Sequence, residues 1–160
     1  MDISSIKIEK PDSVNVIIGQ SHFVKTVEDL YEVIIGSVPG IQFGLAFCEA
    51  SGVCKIRVEG NDEALRELAA KNALKLSCGH CFVIMVEKGF PINILNQIKN
   101  VSEVCSIFAA TANPLEVCIA DNGTGRGILG VIDGMKSQGI ENDEDVKWRK
   151  ELLIKLGYKR

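Results

Sequence analysis

The sequence predicts an α/β fold: a single compact domain with a mixed β-sheet flanked by helices. Three observations point there. Apolar runs of strand length recur at Val14 to Ile18, Ile41 to Cys48 and Cys81 to Val86. Between them apolar residues take helical spacing, as at Val27, Leu30, Tyr31 and Ile34. The two periods alternate along residues 1–160 without a repeat, a low-complexity segment or a linker.

In order, Ile6 to Ile8 and Val14 to Ile18 read as strands, and Thr26 to Ile35 as a helix with Thr26 and Asp29 at its N-cap and Gly36 as its stop. Ile41 to Cys48 and Val53 to Val58 form a hairpin across Glu49-Ala50-Ser51-Gly52. Asn61 or Asp62 caps a helix with Leu65, Leu68, Ala69 and Leu76 on its apolar face, and the strand Cys81 to Glu87 follows. Phe90-Pro91 opens a helix that runs to about Asn100. Val104 to Ala109 and Leu115 to Ala120 are β-rich, and Pro114 interrupts them. Ile128 to Ile132 is a strand after the glycine loop, and Asp143 to Leu156 is helical, with Trp148, Leu152 and Leu156 four residues apart.

Composition excludes several classes. With 160 residues and 46% of them apolar, the chain can bury a core without disulfides or a structural metal. No apolar run approaches the roughly 20 residues of a membrane helix. The start, Met1 to Lys10, has no signal-peptide pattern, so a cytoplasmic protein is expected. Its 18 basic residues are scattered among 21 acidic ones, for a net charge of -3, which speaks against a nucleic-acid partner. The six cysteines are expected to be reduced, with Cys48, Cys54, Cys105 and Cys118 acting as small core hydrophobes.

Three places could carry chemistry. His22 lies between a strand and a helix N-terminus, where unpaired amides and the Lys25 ammonium would stabilise an anion on or near the imidazole. A neutral imidazole can be a nucleophile or base, and a loop histidine bonded to backbone is the bland alternative. Gly125, Gly127 and Gly130 match GxGxxG, but a strand follows where a dinucleotide site needs a helix, which leaves a tight turn with Arg126 suited to phosphate or carboxylate, or an ordinary hairpin. Cys78-Gly79-His80-Cys81 resembles a disulfide-oxidoreductase motif, yet it follows a helix C-terminus, which disfavours a thiolate, and no second cluster completes a metal site.

Longer stretches are more specific. Gly19 to Asp29, Phe43 to Gly52, Glu59 to Asp62, Ala109 to Pro114 and Gly125 to Gly134 together resemble the prokaryotic adenosine-specific kinase family, nearly end to end. The resemblance implies a small α/β domain that binds adenosine or AMP, carries a phosphorylatable histidine and assembles as a homo-oligomer, a trimer. The matching histidine is His22. By the same resemblance Lys25, Thr26 and the turn Gly125-Arg126-Gly127 surround the phosphate; Glu49, Ser51 and Asn113 are candidates for the ribose and adenine edges; and Asp133 joins the nucleotide-binding set. A nucleotide phosphate donor would bring Mg2+, but neither Glu49, Asp133 nor the acidic helix start Asp143-Glu144-Asp145 has the spacing of a magnesium site. Three readings stay open: an adenosine-specific phosphotransferase, a non-catalytic nucleotide sensor storing phosphate on histidine, and a thiol oxidoreductase using Cys78 and Cys81.

Overall fold

The computed structural model describes residues 1–160. Strand β5 (Cys81–Glu87) is apolar on both faces because both are covered: Val83 and Met85 pack on one side, Phe82, Ile84 and Val86 on the other. It is the centre of a five-stranded sheet with the order β4-β3-β5-β2-β6, formed with β2 (Asn15–Ser21), β3 (Gln42–Cys48), β4 (Ile56–Gly60) and β6 (Val104–Thr111). A second, three-stranded sheet has the order β1-β7-β8, with β1 (Asp2–Lys7), β7 (Leu115–Asp121) and β8 (Arg126–Asp133).

Helices α1 (Thr26–Ile35) and α3 (Pro91–Lys99) cover one face of the large sheet, burying Leu30, Ile34, Ile94 and Ile98 against Phe43, Phe82 and Ile84. Helix α2 (Glu63–Leu76) and the small sheet cover the other face, with Leu65, Ala69, Val117 and Ile119 around Val16, Ile18 and Val83. Gly44 permits that close approach: a Cβ there would lie 2.1 Å from the main-chain carbon of Leu65. Helix α4 (Asp143–Lys155) begins with a capping box formed by Asn142 and Asp145, yet it buries none of its residues.

The α/β class of the single domain is as the sequence predicts, but the mixed sheet is not. Every ladder in both sheets is antiparallel, and the one parallel pairing is an isolated bridge between Cys78 and Arg126. The reason is topological. The strands that α1 joins, β2 and β3, both pair with β5 and never with each other, and the strands that α2 joins, β4 and β5, both pair with β3. Each crossover therefore skips a strand, and no parallel ladder forms.

Other expectations also change. Thr26 is the first helical residue of α1, not its cap; Lys25 precedes it without a side-chain cap bond. Strand β4 starts at Ile56, since Gly52 and Cys54 at φ +66° and +51° prolong the turn after β3. Cys48 is buried, but Cys54 and Cys105 are exposed and Cys118 is half-buried. Cys54 sits in that turn, and Cys105 lies on β6, an edge strand of the large sheet.

Candidate functional site

Four residues, His22 to Lys25, separate the end of β2 from the start of α1, and His22 is exposed to solvent. The loop is pinned on both sides. Ser21 N–H donates to the His80 carbonyl and His22 N–H to the Glu103 carbonyl, each at 3.0 Å. Beneath it runs a buried hydroxyl relay: Thr26 Oγ1 donates to Phe23 O at 2.6 Å, so the Ser21 hydroxyl, 2.6 Å from Thr26 Oγ1, is the donor to it. The histidine ring is thus free of backbone duties while its main chain is held.

His22 lines a cavity of about 310 Å³ together with Glu49, Ser51, Arg57, Phe47 and His80. Arg57 ties this site together. Its guanidinium pairs with Glu49 and also donates through Nη1 to Val24 O at 2.7 Å, linking β4 to the His22 loop. The Lys55 N–H, at 3.1 Å, and Arg57 hold the Glu49 carboxyl below its ordinary range. His80 stacks on Phe47, ring centroids 5.9 Å apart and 10° from parallel. Its φ of +64° is left-handed, sparsely populated by residues with a side chain, and such outliers concentrate at functional sites.

Lys25 stands at the start of α1, half-exposed. It pairs with Asp29 one turn on, and its Nζ is 3.9 Å from Glu103 Oε2.

The other sequence-derived candidates lie elsewhere in the chain. Gly123 and the Asx turn at Asn122, whose Oδ1 accepts from the Thr124 and Gly125 amides at 3.0 and 2.8 Å, make the glycine segment a β7-β8 hairpin turn. Arg126 and Gly127 already belong to β8, so no helix N-terminus follows the glycines. Arg126 Nε donates to Asp121 Oδ2 at 2.8 Å, and Nη1 reaches the Lys75 carbonyl at the end of α2 at 3.3 Å. Arg126 and Gly125 line a neighbouring cavity of about 360 Å³, which shares Glu49 and Ala50 with the His22 cavity. Asn113 and Asp133 sit at the far end of β8, where Asp133 Oδ1 accepts from Thr111 at 2.7 Å and Asn113 at 3.1 Å. At about 3.3 Å per residue, roughly 20 Å separates Asp133 from Arg126 along that strand. One chain therefore gathers His22, Glu49 and Ser51 but not Asn113 or Asp133.

Cys48, Cys78 and Cys81 are all buried. Burial pushes the Cys48 thiol up to about 12, that of Cys78 above its usual value and that of Cys81 well above it. No group of three or more His, Cys, Asp or Glu side chains is placed to hold a metal ion.

A model of the family described as adenosine specific kinase matches residues 6–159. The chain belongs to that family. Among solved structures, the crystal structure of the PH1918 protein from Pyrococcus horikoshii OT3 superposes with a TM-score of 0.96 at 48% identity, covering 99% of this chain and 98% of that one. No curated protein matches. No helix of this adenosine specific kinase family member is long and apolar enough to cross a membrane.

Three residues of the site escape the sequence reading. Arg57 could have been found from the hairpin, since the β3-β4 register sets it opposite Phe47. His80 is noticed only as part of a cysteine motif, and its place beside His22 depends on the β2-β5 register, with Gln20 opposite Cys81. Glu103 carries no sequence signal at all.

Proposed function

We propose that the protein is an adenosine-specific phosphotransferase that works through a phosphohistidine at His22. The observation that carries this reading is an exposed imidazole on a pinned loop at a helix N-terminus, opening on a cavity that also holds Glu49, Ser51, Arg57 and His80. In the first half-reaction a ring nitrogen of His22 takes a phosphoryl group, the P–N bond forming as the donor's P–O bond breaks. In the second, the adenosine hydroxyl attacks, the P–N bond breaks and AMP leaves, with the hydroxyl proton passing to a base of the site. Lys25 supplies positive charge beside the phosphoryl group. Glu49 and Ser51 are the polar groups available to a ribose or adenine edge.

Magnesium carried by a nucleotide donor can be held by the donor's phosphates and one or two carboxylates. This chain builds no protein-only cage for it. The exposed His22 ring on its pinned loop also serves a second reading, a sensor that stores phosphate on His22 without turnover. The thiol reading draws no support from three cysteines whose burial suppresses the thiolate.

The test is intact mass before and after acid treatment, because a phosphoramidate on histidine is acid-labile. Wild-type protein loses one phosphate mass, and His22→Ala never carries it; labelling that persists in His22→Ala ends the proposal. AMP formed over many equivalents of enzyme separates the phosphotransferase from the sensor.

A further inference from the structure

Glu103, in the turn between α3 and β6, is only 2% exposed, yet neither of its carboxyl oxygens receives an N–H or O–H donor. No other buried side chain is left this way. An ionised carboxylate so placed must protonate or find a partner, since desolvation without one is strongly unfavourable. Two groups reach it. The Lys25 ammonium is 3.9 Å from Oε2, beyond hydrogen-bond distance, and is committed to Asp29. The Asp29 carboxyl is the other acid gathered on the same Lys25 ammonium. Two neighbouring carboxyls attract only when a proton lies between them. The remaining neighbours supply no other proton: Glu32 of α1 acts on Lys25 from a distance, and the Cys105 thiol contacts the Glu103 main-chain oxygen at 3.6 Å.

We propose that Glu103 and Asp29 share a single proton and together hold Lys25 as the countercharge for a phosphate bound beside His22, which makes Glu103 a positioning residue of the site. The countercharge role rests on the reading of His22 given above; the shared proton does not. The charge count gives the consequence. With the proton present, Lys25, Asp29 and Glu103 sum to zero, and without it they sum to -1, which repels a phosphate dianion. Phosphate binding therefore favours the protonated pair, and affinity falls as pH rises through the pair's upper titration. Burial and then the Asp29 carboxyl push Glu103 above the usual carboxylate range, while Lys25 holds Asp29 below it.

Two measurements on the full chain test this. Carboxyl-resolved NMR titration should show Glu103 and Asp29 protonating in two linked steps, with Glu103 returning toward ordinary behaviour in Asp29→Asn, a change at a carboxyl that reaches solvent. A single, ordinary Glu103 titration that ignores Asp29→Asn overturns the shared proton. Calorimetry of AMP binding in two buffers of different ionisation enthalpy reads the protons taken up. Glu103→Gln places an amide donor where the acid was and fixes the local charge at zero. Uptake should be smaller in this variant than in wild type, and its affinity should lose part of the wild-type decline at high pH. Protonation of the free AMP phosphate is common to both proteins and cancels in the difference. Identical pH dependence in the two proteins overturns the positioning role. Failure to bind AMP at any pH overturns the proposed function and the countercharge role with it, and the NMR titration still decides the shared proton.

Discussion

The main-chain N–H of His22 donates to the carbonyl oxygen of Glu103 at 3.0 Å, while the Glu103 carboxyl lies near Lys25 three residues further on. A single residue from the α3-β6 turn thus meets the His22 loop through its backbone and the first residues of α1 through its side chain. The site is assembled from segments about eighty positions apart in sequence, and substitutions that loosen the loop can be read separately from those that change its charges.

Thr26 tests the loop. Its side chain is fully buried and links Ser21 to Phe23 O. Thr26→Val keeps the volume but removes the acceptor of the Ser21 hydroxyl and the donor to Phe23 O. An unsatisfied buried polar group costs about 1–3 kcal/mol, so denaturant unfolding should show a loss of that order. A change under about 0.5 kcal/mol, typical of a surface substitution, would mean the relay does not hold the loop.

Glu9 predicts the acid behaviour. Lys71 and then Lys75 bond its carboxylate and lower its pKa from 4.5 to about 2. A carboxylate depressed in the folded state contributes stability that is complete above its unfolded value and is lost as pH falls through the folded one. The advantage of wild type over Glu9→Gln should therefore be full at pH above about 5, shrink between pH 4.5 and about 2, and weaken with added salt because the pairs are exposed. Urea melts across that range check it; a constant difference between the two proteins would contradict the assignment.

Arg126 separates two roles. The sequence reading sets it against phosphate, whereas in the folded chain its guanidinium bonds Asp121 and the end of α2. From that geometry, Arg126→Lys should lower stability slightly and leave the affinities for AMP and adenosine unchanged in calorimetry. Selective weakening of AMP by about tenfold, roughly 1.4 kcal/mol, would restore the phosphate role.

Helix α4 bears on assembly. It buries nothing, and Trp148 is 65% exposed alongside exposed Ile154 and Leu156. Apolar side chains left exposed on a capped helix are expected to be covered by another copy, in a closed trimer as the family resemblance implies. Light scattering at micromolar concentration should give three times the chain mass for wild type and a smaller species when Trp148, Ile154 and Leu156 are replaced together by Ser. A monomeric wild type would refute this.

Sequence alone determined the elements whose signals are local. Period-two and period-3.6 runs located β5, α1 and α2 to within a few residues; of the two caps the sequence offers for α2, Asn61 and Asp62, it is Asp62 that accepts from the Leu65 amide at 3.0 Å; and a strand, not a helix, follows the glycine turn. The strand-to-helix position of His22 was equally legible, because it depends only on neighbours in the chain. Pairing was not. Which strand lies beside which is decided by long-range burial: the skipped strand in each crossover, the absence of any parallel ladder and the meeting of His80 and Arg57 with His22 all follow from the order β4-β3-β5-β2-β6. Glu103 marks the limit most clearly. Nothing beside it in sequence distinguishes it from any other surface glutamate, and only the packing of the α3-β6 turn against α1 removes it from water and sets it against Asp29 and Lys25.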